Sequence, residues 1–165
     1  MGLFLIRFMW LFALALWVGG GAAVAFLAAP AVFARAGSRR RAGEIVGAIL
    51  RRLDLTVLVL APFALAGPVL EAVWTGQALG SVAVPLGLVG GMTALGLFSR
   101  LALTPRIARL RDELGDDLDR VPKEDPRRRA FGKLHGFSVL CLLGQLLLGT
   151  VAIAVAVLRF GGGAG

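Results

Sequence analysis

Four stretches of this chain run for about twenty residues or more with almost no charge, and that pattern restricts it to one kind of structure. A helix rising about 1.5 Å per residue needs about 20 apolar residues to cross a hydrocarbon core about 30 Å thick. Phe8 to Ala34 contains no charged residue. Asp54 to Trp74, Val82 to Leu103 and Leu134 to Leu158 follow. Arg100 is the one charge in the third run, and His135 and Cys141 are the only ionisable groups in the fourth. A soluble helical bundle would need a polar face on each segment, and these have almost none. The first run also exceeds the 7–15 residue apolar core of a cleaved signal, so it is expected to be a span. The predicted fold is all-α: a polytopic membrane protein, built as a four-transmembrane-helix bundle with short amphipathic cytoplasmic helices. Its single domain covers 1–160, with spans at 8–34, 54–74, 82–103 and 134–158, and a flexible glycine-rich tail at 161–165. Pro62 and Pro68 should kink the second span.

Charge gives the expected orientation. The formal net charge of +8 would raise nucleic acid as a partner in a soluble protein, but no soluble module remains once the spans are removed. Sixteen of the eighteen Lys and Arg lie in or beside the two loops that join span one to two and span three to four. The positive-inside rule then puts both loops in the cytoplasm and both termini outside. Trp10 and Trp74 are expected together at the outer interface, where amphipathic rings prefer to sit. The predominance of Arg over Lys suggests a GC-rich bacterial genome, and so a multi-pass protein of the bacterial inner membrane. Membrane lipids are the expected partners, with anionic headgroups at the basic loops; no nucleic acid is expected.

Within the first loop, Ile45, Val46, Ile49, Leu50 and Leu53 recur at helical spacing. They predict an amphipathic helix lying at the membrane surface or leading straight into the second span. In the second loop, Thr104 and Pro105 read as the N-cap and first position of a separate helix. Ile107, Leu110, Leu114 and Leu118 mark its apolar face. Arg106, Arg109 and Arg111 crowd its start, where the helix dipole disfavours cations, and Asp112, Glu113, Asp116, Asp117 and Asp119 follow. Anionic headgroups, worth about 1 kcal/mol per nearby Lys or Arg, would outweigh that penalty; a solvated charged loop is the plainer alternative.

Membrane helices pack through small residues that let backbones approach. Gly87 with Gly91, and Gly132 with Gly136, have the GxxxG spacing, and Gly21, Ala25 and Ala29 repeat it in the first span. On the fourth span His135, Ser138 and Gln145 fall on one face with Cys141 at its margin. Polar groups inside a bilayer are costly and face protein or a wet cavity. The stripe either lines a pocket or ties helices together at about 0.6 kcal/mol per hydrogen bond. His135 is expected to hydrogen-bond across to another helix. Asp54 follows Arg51 and Arg52 closely, so an interfacial ion pair is its expected role. Enzyme chemistry lacks its parts: no Ser-His-Asp set, carboxylate pair, phosphate loop or metal-spaced cluster occurs, and one histidine cannot supply a bis-histidine haem. No catalytic residue, metal site or cofactor is expected, and the single cysteine excludes an intramolecular disulfide.

The stretch from Thr104 onward resembles the transmembrane protein 205 family, called in bacteria a domain of unknown function. Pro105 and Arg106 follow the third span, and Lys123-Glu124-Asp125-Pro126 follows later. Phe131, His135, Gly136 and Ser138 then fit the aromatic, His-Gly and Ser pattern at the head of the fourth helix, while Leu142 stands where the family often has Asn. The resemblance covers about a quarter of the chain specifically. It implies a four-helix membrane protein, and its vertebrate member is associated with resistance to platinum drugs. Such metals favour soft sulfur, for which Cys141 and Met92 are the intramembrane groups.

Two functions of different class follow. One is a small transport or efflux component, homo-oligomeric because four short helices enclose little space. The alternative is a non-catalytic scaffold that binds lipid or a partner through its basic loops.

Overall fold

The computed structural model describes residues 1–115, 121–122 and 124–161. With no water to accept them, backbone N–H and C=O groups in a bilayer must be satisfied within the segment, which favours helices. The described residues are helical, with no strand among them, and four continuous helices are long and apolar enough to cross a membrane: Gly2–Arg35, Arg39–Thr75, Leu79–Leu114 and Pro126–Gly161.

Two of these rods contain a widened turn, each for an identifiable reason. The first is α1 (Gly2–Ala23), a π-helical turn (Val24–Ala28) and α2 (Ala29–Arg35). The wide turn lies just before Pro30, whose ring would meet the Phe26 carbonyl in an unbroken α-helix. The same device recurs where α4 (Ala83–Phe98) passes through a second wide turn (Ser99–Leu103) into α5 (Thr104–Leu114), just ahead of Pro105. There the Thr104 hydroxyl donates to the Ser99 carbonyl at 3.0 Å. Thr104 is therefore not the expected N-cap. Its backbone is helical, its hydroxyl bonds backward, and the cytoplasmic helix is a continuation of the third span.

The first loop is equally short. Gly37, at φ +74°, reverses the chain, and Ser38 caps α3 (Arg39–Thr75) by accepting from the Arg41 N–H at 3.2 Å. The amphipathic stretch from Ile45 leads straight into the second span as the first turns of α3, which runs through Pro62 and Pro68 as one helix. Gly76, at φ +69°, ends α3. A 3₁₀ turn (Leu79–Val82) then enters α4. At α6 (Pro126–Gly161), Asp125 accepts from the Arg127 N–H at 2.7 Å and pairs with its guanidinium at 2.9 Å. These bonds, the side-chain one foremost, hold the Asp125 carboxyl below its usual pKa. Gly161 closes α6, so the expected tail begins inside the helix. Its remainder at 162–165, together with Asp116, Asp117, Leu118, Asp119, Arg120 and Lys123, lies outside the described residues.

The bundle packs α1 chiefly on α3 and α4 on α6, with α1 also against α6; α3 and α4 meet only lightly. The core joins Trp10, Leu14 and Trp17 to Ala61 and Ala64, Val89 and Met92, and Ala152 and Ala156. Large apolar side chains such as Phe4, Phe8, Leu58, Leu101, Leu147 and Leu158 point outward, a surface suited to lipid and unsuited to water. Trp74 is exposed as expected, but Trp10 is 0% exposed and packs edge-on to Phe160. Trp10 is thus core, not part of an interfacial belt.

Close approach occurs at two of the glycines marked by small-residue spacing, Gly21 and Gly91, and most tightly at two that the spacing did not mark, Gly67 and Gly149. A Cβ at Gly67 would collide with Trp10, and one at Gly149 with Val18 and Met92. A Cβ at Gly91 would meet Leu148 at 3.1 Å, and one at Gly21 would meet Leu146 at 3.0 Å. Gly87, Gly132 and Gly136 have no neighbour within 4 Å of that position. They sit on the outer surface of the bundle, where a repeat of small residues meets nothing of this chain.

Candidate functional site

Two ends of the bundle can be distinguished. One carries Gly2, Gly161 and the 75–79 turn, here the terminus end; the other carries Arg35, Arg39, Leu114 and Pro126, here the loop end. Between its middle and the loop end the bundle contains a cavity of about 40 Å³. All four long helices contribute: Trp17 from α1, Asp54 and Val57 from α3, Thr93 and Arg100 from the third rod, and Gln145 from α6. A cavity needs only about 10–15 Å³ on this measure to hold a water, given polar partners. This one has them.

The lining is positioned by local chemistry. Gln145 accepts from the Trp17 indole N–H at 3.3 Å and donates to the Cys141 carbonyl at 3.4 Å, so its amide is held from two sides. A Cβ on Gly96 would lie 3.2 Å from Gln145 Oε1, so the glycine leaves room for the amide. Thr93 donates to the Val89 carbonyl at 2.8 Å. Asp54 and Arg100 face the cavity from the second and third rods, which pack lightly on each other, and Arg100 sits in the wide turn ahead of Pro105. Asp54 therefore shares its surroundings with Arg100, whereas Arg51 and Arg52 point to the exterior. An acid and a base that line one small cleft can hold a water between them.

The sequence-predicted stripe divides. Ser138 meets Ser99 hydroxyl to hydroxyl at 3.4 Å, and Gln145 binds Trp17, so both tie α6 to another rod. Cys141 is buried with Leu103 and Ile107. Met92 lies in the main core instead, so the two sulfur groups belong to different clusters. His135 is exposed and stacks flat on Phe131 of its own helix, with ring centres 6.1 Å apart. Among the described residues it makes no hydrogen bond to another helix, because the α6 turn that carries it faces outward. The described residues contain no group of His, Cys, Asp and Glu suited to a metal.

A second polar cluster lies at the terminus end. Glu71 is 1% exposed and accepts from Arg7 Nε at 2.9 Å, while Arg159 Nε lies 3.8 Å from its other oxygen. Arg159 also donates to the Ser81 carbonyl at 2.5 Å and to Gln77 Oε1 at 3.2 Å. The Arg7 guanidinium rests 4.8 Å from the centre of the Phe160 ring. Sequence reasoning missed this cluster. The available signal was that Glu71 is the one acid at the end that carries only two bases.

At the loop end, an open groove of about 470 Å³ runs between α2 and the start of α3, lined by Ala31, Val32, Arg35, Ala36, Arg41 and Ile45.

A family model described as Domain of unknown function (DUF4149) matches residues 12–116, more than half of the chain. The match takes in Trp17, Asp54, Thr93 and Arg100 and stops short of Gln145 and of the Phe131–Gly144 segment. No curated protein and no solved structure matches the chain.

Proposed function

The chain belongs to this family of unknown function, and from that premise we propose that it is a small transport component of a cell membrane. The single observation that carries the reading is the small, partly open cleft between the helices, which brings Asp54, Arg100, Thr93 and Gln145 into an otherwise apolar wall. Ionisable groups at membrane depth mark ion or proton paths by default, because their desolvation must be offset by a role or a partner. At about 40 Å³ the cavity suits water, a proton or a small bare ion, and it is far too small for a drug-sized solute. The reading assigns no catalysis.

Loop-end arginines favour an orientation with that end in the cytoplasm of a bacterium. Only Arg7 and Arg159 are basic at the terminus end, and both lie against Glu71, which offsets half of their charge. One bundle encloses little space, so the working form is proposed to be a homo-oligomer. The outward Gly87, Gly132 and Gly136 offer a surface on which two copies can approach closely.

The test is flux into liposomes of proton, potassium and chloride, each followed with its own fluorescent reporter. Flux of at least one above protein-free vesicles is expected, falling at least tenfold in Asp54→Asn. Folded protein that passes none of the three would overturn the reading.

The second reading, a scaffold that holds lipid or a partner on its basic side, is favoured by the groove that contains Arg35 and Arg41.

A further inference from the structure

We propose that the groove between α2 and α3 binds one anionic phospholipid, its phosphate held between Arg35 and Arg41 and an acyl chain laid along Ala31, Val32 and Ile45. The inference deepens the scaffold reading and rests on it. The geometry comes from the loop itself. Arg35 is the last residue of α2, and Gly37 and Ser38 reverse the chain at once into α3. The reversal brings Arg35 and Arg41 to the lining of one open groove of about 470 Å³.

Three features select the occupant. No carboxylate lines the groove. Arg40, next in the chain, pairs with Glu44 at 3.0 Å, whereas among the described residues neither Arg35 nor Arg41 has a carboxylate within 4 Å. Two guanidiniums present planar, forked donors that match phosphate oxygens. The remaining four lining residues are aliphatic, so a free phosphate would leave that surface uncovered, while a lipid covers it.

The experiment uses the full chain, released from detergent micelles doped with phosphatidylglycerol or phosphatidylcholine, with retained lipid counted by native mass spectrometry. One phosphatidylglycerol should be retained in preference to phosphatidylcholine, and added inorganic phosphate should not displace it. Arg35→Gln and Arg41→Gln should each weaken retention about fivefold, as expected for one cation near an anionic lipid. Arg51→Gln with Arg52→Gln serves as the control, since both residues are exposed and lie outside the groove. Equal loss in the control overturns the site yet leaves a generally lipid-binding basic side. No preference for phosphatidylglycerol in the parent overturns the site and the lipid half of the scaffold reading together. If Arg35→Gln and Arg41→Gln change the oligomeric mass without changing lipid retention, a second copy occupies the groove and the proposal fails. Displacement by inorganic phosphate also overturns it.

Discussion

Arg7 and Glu71, 64 positions apart in the chain, meet at 2.9 Å in the packed end of the bundle, with the carboxylate almost wholly enclosed. Arg159 approaches the same carboxylate from α6, so one acid joins three helices. Breaking a buried pair by removing one partner costs about 3–5 kcal/mol, because the other charge stays behind. Here both arginines keep some exposure, 24% and 17%, which lowers the figure. Glu71→Gln should destabilise the protein by about 2 kcal/mol, read as earlier thermal unfolding in mild detergent. Adding Arg7→Gln should recover part of the loss. A double variant no better than the single would show that the pair is not coupled.

Glycine substitutions should separate inner from outer surfaces. Gly149→Val places a side chain against Val18 and Met92 and should cost about 1–3 kcal/mol, with loss of monodisperse elution. Gly87→Val meets nothing of its own chain and should leave the melting of a monomeric fraction unchanged. If Gly149→Val behaves like the parent, the packing described for α6 against α1 and α4 is wrong.

The fourth helix gives a paired test. Gln145→Leu strips the Trp17 indole of its acceptor and should cost about 0.6 kcal/mol, with a shift in tryptophan emission. His135→Gln changes an exposed ring stacked within its own helix and should alter stability by less than about 0.5 kcal/mol. A large effect at His135 with none at Gln145 would reverse the assignment of which polar group ties the bundle.

Orientation is open to a labelling test. In a Cys141→Ala background, Ala78→Cys should react with an impermeant maleimide on intact cells and Glu124→Cys should not. Both positions are exposed, at opposite ends of the bundle. The opposite labelling pattern would invert the proposed topology.

Four helices were legible in the sequence because each apolar run exceeds what a soluble helix can tolerate, and bilayer thickness gives the length to look for. Their ends were less legible. Thr104 followed by Pro105 is a sound helix-start signal, yet a wide turn absorbs the proline and the rod continues. Contacts between helices were the least legible part. Asp54 was assigned to its sequence neighbours Arg51 and Arg52, while the base across the cavity, Arg100, stands on another helix. Glycine spacing marks a face without saying what that face meets: of the pair Gly87 and Gly91, the second approaches Leu148 and the first approaches nothing. Ser138 and Gln145 were legible as polar groups turned toward protein, but not as ties rather than pocket lining: Ser138 meets Ser99, and Gln145 both binds Trp17 and lines the cleft.

The carboxylate of Glu71 draws one of its two bases from the first helix and the other from the last. During synthesis the first two helices can therefore settle against each other with Glu71 already neutralised by Arg7, long before Arg159 has been made. The final helix then brings more than apolar surface: its arginine joins the carboxylate and also reaches Ser81 and Gln77 in the turn between the second and third rods. A chain arrested before α6 lacks that closure: the second carboxylate oxygen of Glu71, the Ser81 carbonyl and the Gln77 amide are all left without the arginine that gathers them.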